Sequence, residues 1–186
     1  MKTRTHQPIV AFLVLTGALC AVSNARLQAA SPAASSGSPG ESAEVGAAPA
    51  VHTVTGQFTR VVVVRLKYDT DVLDGLKTAV AREKIQNAVI LSGAGSLTGY
   101  HVHVVSNTTF PVTEAFIKEA GPFDLLTTTG YVIDGRVHAH ITFANTQKTL
   151  GGHLEPGTKV FTFAVITLGV LDERSSLKSV DDANWR

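Results

Sequence analysis

Cysteine is all but missing from this chain: the only one, Cys20, lies inside an apolar stretch close to the start. A chain processed beyond Ala25 therefore has no thiol, which excludes a disulfide framework, a thiolate metal site and a cysteine nucleophile. Aromatic residues make up 6% of the sequence and charged residues 17%, with a formal net charge of +1. No basic patch of the kind that grips a phosphate backbone is visible, so electrostatic nucleic-acid binding is not expected. Long hydrophobic runs are also lacking, since Pro8 to Val22 is too short to cross a bilayer comfortably.

That short run, preceded by Lys2 and Arg4, has the form of an export signal. Ser23-Asn24-Ala25 and Leu27-Gln28-Ala29 both fit the small-residue cleavage pattern, which places removal between Ala25 and Ala30 and assigns residues 1–29 to the signal. An uncleaved membrane anchor is the competing reading, and Leu19 before Cys20 fits lipid attachment poorly. Cleavage predicts an exported, periplasmic or secreted protein with no remaining membrane contact. Loss of Lys2 and Arg4 takes Lys+Arg from 16 to 14 against 15 Asp+Glu, a formal charge of −1. Residues 30–52 are rich in Ala, Ser, Gly and Pro and too poor in large apolar groups to offset the entropy of ordering, so they are expected to form a disordered linker.

The remainder predicts one domain over residues 53–171 and a loose polar tail over 172–186. Gln57 to Lys67 is β-branched and reads as a strand. A helix follows, capped by Asp71, with Val72, Leu73, Leu76, Ala79 and Val80 on one stripe and Lys77, Arg82 and Lys84 off it. Gly75 costs that helix about 1 kcal/mol relative to Ala, and its place beside the stripe suggests close approach to the sheet. Ala88 to Leu91 and Thr98 to Ser106 read as two strands joined by a tight connection through Ser92-Gly93-Ala94-Gly95-Ser96-Leu97. The Gly pair there is not a dinucleotide loop, because Thr98 holds the third glycine position and a strand follows where a helix is needed. Pro111 interrupts Asn107 to Ala120, whose latter half is assigned as extended. Phe123 to Ile133, Arg136 to Ala144 and Lys159 to Leu171 complete the strands, with Asp134-Gly135 as a hairpin turn. Many strands and one principal helix indicate an α+β class built on a mainly antiparallel sheet.

The chemistry concentrates in histidine. Alternation along Val137 to Phe143 puts His138 and His140 on the same face of a strand, about 6.6 to 6.8 Å apart between Cα atoms. His153, carried on what reads as a Gly151-Gly152 loop, is in reach of the same point. Three imidazoles form an open zinc-type site, with a position left for water or substrate; the alternative is a solvated strand face with no ion. His101 and His103 form a second His-x-His on another strand. They offer an additional pair of donors, or a patch that charges as pH falls toward about 6.5, or surface histidines with no joint role.

Taken in order, Arg65-Leu66, Ala81-Arg82-Glu83, Ser92 to Leu97, Gly121-Pro122-Phe123-Asp124-Leu125-Leu126, His138-Ala139-His140-Ile141 and Gly151-Gly152-His153-Leu154 resemble the PPC domain, named for plants and prokaryotes. The match covers about residues 57 to 171 and suggests the prokaryotic single-domain type. The resemblance implies a homotrimer and a metal site at His138, His140 and His153. Plant members carry AT-hooks and act on DNA; no Arg-Gly-Arg-Pro hook occurs here. The Phe123-Asp124-Leu125-Leu126 segment departs from the family's Phe-Glu-Ile-Leu.

These observations predict an exported homotrimer whose three-histidine site holds zinc, or another transition metal that accepts imidazole, and binds or hydrolyses a small molecule. A general base for hydrolysis has to lie within hydrogen-bond reach of the attacking water, and Glu155 and Asp124 are the candidates. The alternatives are a DNA-binding regulatory protein and a non-catalytic structural trimer.

Overall fold

The computed structural model describes residues 48–182. The expected signal and residues 30–47 of the expected linker lie outside them. Six strands and one helix follow in the order β1 (Phe58–Lys67), α1 (Val72–Arg82), β2 (Ala88–Val105), β3 (Glu114–Ile133), β4 (Arg136–Ala144), β5 (Thr149–Leu154) and β6 (Lys159–Leu171). Every pairing is antiparallel, and the sheet order is β1-β6-β2-β3-β4-β5. The α+β class expected from the strand pattern is the one found. No helix among the described residues is long and apolar enough to cross a membrane.

Asp71 caps α1 by accepting from Asp74 N at 3.1 Å, and its other oxygen accepts from Gly157 N at 2.6 Å. The helix start is thereby tied to the turn after β5. Val72, Leu73, Leu76, Ala79 and Val80 are the buried residues of the helix, as their spacing requires. A Cβ on Gly75 would lie 2.6 Å from Leu66 Cδ2, so this glycine does permit close approach of helix and sheet.

Two expectations fail for one reason. Ser92 to Leu97 is no turn but the middle of an 18-residue strand, and the Gly151-Gly152 pair lies within β5 rather than in a loop. Both segments run between two neighbouring strands at short range. A Cβ at Gly95 would stand 2.3 Å from Phe163 O, and one at Gly152 would stand 2.7 Å from His103 O. Glycine in a strand marks close backbone approach as well as turns, and here it does the former.

β2 changes partner along its length. Ala88 to Gly99 pair with β6, whereas Val102 and His103 pair with β5, so β2, β3, β4 and β5 close on themselves. Inside that closure Tyr100, Val102, Phe123, Leu125, Ala139, Ile141, Phe143 and Leu154 are buried. The rings of Tyr100 and Phe143 lie 4.1 Å apart, with Phe123 packed edge-on to both.

The segment after β6 is not a loose tail within the described residues. Ser175 and Leu177 are buried, Ser175 Oγ donates to Asp172 Oδ1 at 2.8 Å, and Leu177 N donates to Asn87 Oδ1 at 3.2 Å. Burying Leu177 contributes about 1.5 to 3 kcal/mol, enough to hold a short polar segment on the sheet.

Candidate metal centre

Alternation does the first part of the work. With Ala139, Ile141 and Phe143 in the core, His138 and His140 face outward from β4. Leu154 and Val102 likewise fix the outward direction of His153 on β5 and of His101 and His103 on β2. Strand register does the rest. His153 is the register partner of His140 on one side and of His103 on the other, so three imidazoles form a row across β4, β5 and β2. His138 stands two residues along β4 from that row.

The rings of His138, His140 and His153 lie 4.8 to 5.4 Å apart between centroids, and one ring nitrogen from each falls within 4.8 Å of the others. Nε2 of His138 and Nε2 of His140 are 3.4 Å apart. Two nitrogens each about 2.0 to 2.1 Å from one ion cannot be more than about 4.2 Å apart, so that pair already fits, and a small rotation of His153 brings in the third. A second set consists of His103, His153 and Glu155, with donor atoms equally close. The ring centroids of His103 and His153 are 4.5 Å apart.

Electrostatics favour the ligand form of His140 and His153. Desolvation by the surrounding rings and strands, then the neighbouring His138 and His103, hold the His140 imidazole below its usual pKa. The same causes, with His140 added, lower His153, and Glu155 opposes them weakly. Although His140 keeps an edge open to solvent, desolvation and like-charge crowding make protonation of His140 and His153 costly. Neutral imidazole is the form that binds a cation.

Carboxylates orient two of the rings. Asp181 Oδ2 lies 3.4 Å from His138 Nδ1 and 3.8 Å from Arg136 Nη2, reaching the site from the segment after β6. Glu155 Oε1 accepts from His103 Nδ1 at 2.7 Å, and Glu114 Oε1 lies 3.6 Å from His103 Nε2. A carboxylate at this distance from His138 Nδ1 favours a proton on that nitrogen, which would turn Nε2 to an ion, the usual office of a carboxylate behind a histidine ligand. A cavity of about 380 Å³ opens beside His138 and His140, lined also by Thr129, Gly130, Tyr131, Ile133, Val180 and Asp181.

Among the residues singled out from sequence, His138, His140, His153, His103 and Glu155 come together. His101 stands apart from both sets, its Nδ1 donating to Pro156 O at 2.7 Å. Asp124 also stands apart. Its register partner is Ala144, about 13 Å along β4 from His140 at about 3.3 Å per residue, and it lines a different groove with Glu119, Asn145 and Phe161. It is therefore in no position to act as a base at the histidines. Sequence reasoning missed Asp181 and Glu114, because neither lies near a histidine in the chain and only the folded topology brings them there.

The family model described as the Plants and Prokaryotes Conserved (PCC) domain, PPC under another abbreviation, matches residues 53–172. Among solved structures, a metal-containing protein of Archaeoglobus fulgidus is similar with a TM-score of 0.56 at 19% identity, over 68% of this chain and 96% of that one. A plant- and prokaryote-conserved (PPC) protein of Pyrococcus horikoshii is similar with a TM-score of 0.55 at 24% identity, over 66% and 85%. A Bacteroides thetaiotaomicron protein named as a candidate DNA-binding protein gives 0.53 at 14% identity, over 64% and 85%. These likenesses establish a common fold. Among curated proteins, the bifunctional protein GlmU of a Synechococcus strain is 29% identical over 110 residues, which is 59% of this chain but only 17% of that protein's length.

Proposed function

Because this chain belongs to the Plants and Prokaryotes Conserved domain family, we propose that it is a metal-binding protein in which His138, His140 and His153 hold a transition-metal ion and receive a small polar molecule beside it. The observation that carries this reading is the convergence of three imidazoles, two of them biased toward the neutral form, on one point of the sheet surface. An all-imidazole set suits zinc best, with copper, nickel and iron as competitors decided by supply. The donor types and their spacing fit such an ion.

A bound divalent ion would supply Lewis acidity to a group in the adjoining cavity. The chain's own residues supply the remainder. Asp181 stands behind His138 and favours a proton on its Nδ1, Tyr131 and Ile133 wall the cavity, and the Glu155–His103 pair stands next to His153 as an acceptor for a proton. Hydrolysis of a small molecule is the reaction this arrangement would favour.

Export and trimeric assembly form part of the proposal. Export is supported by the N-terminal sequence alone. Assembly is supported by Val61, Val63, Leu91, Leu126, Phe161 and Phe163, large apolar side chains left exposed on one chain. DNA binding, suggested by the name of the Bacteroides protein, is the second reading. Residues 53–172 hold ten Lys+Arg against ten Asp+Glu, a balance that gives little attraction for phosphates.

Metal content per chain, measured by plasma mass spectrometry on protein purified without a histidine tag, tests the main reading. About one transition ion per chain in the wild type, lost in His138→Ala and in His153→Ala, is the expected result. Metal-free wild type that also refuses added zinc overturns it.

A further inference from the structure

The second donor set supplies no ligand to the three-histidine site other than His153, and its construction is too specific for a decorated surface. His103 and Glu155 have side chains only 17% and 22% exposed, and they meet at 2.7 Å. Each is held by backbone as well. His103 is the register partner of His153, and Glu155 N donates to His101 O at 3.0 Å, so both residues are fixed to β2. The Phe116 ring, 5.3 Å from that of His103, packs against it. On the remaining nitrogen of His103 a further carboxylate, Glu114, stands 3.6 Å away.

We propose that His103, through Nδ1, and Glu155 hold a second divalent transition-metal ion beside the first, with His153 as the ring common to both sites and Glu114 behind the opposite ring nitrogen of His103. The geometry is that of the donor set His103, His153 and Glu155, whose ligand atoms already lie within 4.8 Å of one another. Imidazole combined with carboxylate is a shell that zinc, iron(II) and manganese(II) accept. The carboxylates bring negative charge that the all-imidazole site lacks, which offsets the repulsion between two neighbouring cations. His153 suits a shared position because its two ring nitrogens point to different sides of the ring. The neutral ring offers one lone pair, so binding of the second ion releases the ring N–H proton to solvent and leaves an imidazolate between the two cations. The inference shares the His153 ring with the function proposed above and gives Glu155 and His103 a ligand role in place of the proton-accepting one.

The test is a titration of the full chain, without a purification tag and stripped by chelator, with cobalt(II) alone, following its visible absorption to the end point. Two equivalents per chain are expected. Glu155→Gln, which preserves shape and the bond to His103, should remove one equivalent and leave the other; His138→Ala should remove the one that Glu155→Gln leaves. Thermal unfolding followed by circular dichroism verifies that each variant is folded before it is read. A single equivalent, unaffected by Glu155→Gln and lost in His138→Ala, overturns the second site and leaves the three-histidine reading intact. A single equivalent lost in Glu155→Gln and retained in His138→Ala supports the second site and overturns the first. No uptake by folded wild type overturns both, and means that Glu155 and His103 form only a hydrogen-bonded pair.

Discussion

His153 is the residue on which most of the site's chemistry depends, because it has His140 as register partner on one side and His103 on the other. The period-2 pattern of β4 made His138 and His140 legible as a pair, since alternation is a local property of the chain. The partners Asp181 and Glu114 were not legible, because register and the path of the last segment place them. Asp181→Asn removes the charge behind His138 and should weaken metal affinity by about 10- to 100-fold while leaving thermal stability nearly unchanged. Competition against a chromophoric zinc chelator measures this, and unaltered affinity would assign Asp181 to a purely structural contact. The lowered pKa values of His140 and His153 predict a pH dependence with a definite sign. The unfolded chain takes up these protons near the ordinary value of about 6.5, before the folded chain does, so metal-free protein should lose stability as pH falls through 6.5 and until the lower folded values are passed. Urea midpoints at pH 7.5 and 5.5 test it: a drop that shrinks in His140→Gln and His153→Gln is expected, and equal slopes in all three proteins would contradict the account.

At the scale of the element, most of the secondary structure was readable, and the exceptions were glycines. The helix was visible from its cap and stripe, and Asp71 has more to do than the sequence indicated, holding the turn at Gly157 as well as the first turn of α1. Asp71→Ala should therefore cost more than the usual cap, which is about 1 kcal/mol, and chemical denaturation would give the value. β2 and β5 were misread at Ser92 to Leu97 and at Gly151-Gly152, because a glycine that lets strands approach closely looks, one-dimensionally, like a glycine that lets the chain turn. Gly152→Ala puts a Cβ 2.7 Å from His103 O. The β2–β5 pairing has to give way, at a cost of about 1 to 3 kcal/mol, and metal uptake should fall along with stability because His153 leaves its place between His140 and His103. Full metal binding by a folded Gly152→Ala protein would mean that the row does not depend on this register.

For the whole molecule, fold class was legible from strand count and a single helix, whereas closure of the sheet through β2 and β5 was not, since pairing between distant segments leaves no local pattern. The exposed apolar side chains on β1, β2, β3 and β6 suggest that one chain is not the complete object. Sedimentation equilibrium should give three times the chain mass, and Phe163→Glu, which places a charge among those side chains, should reduce it. A wild-type protein at the mass of one chain would remove trimeric assembly from the account. Diffraction reads the sharing of one ion by three imidazoles from β4 and β5 without an intermediate assay. Crystals grown with zinc, measured above and below the zinc absorption edge, should give an anomalous peak bounded by His138, His140 and His153. A peak elsewhere with those rings unliganded, or no peak at all, would contradict it.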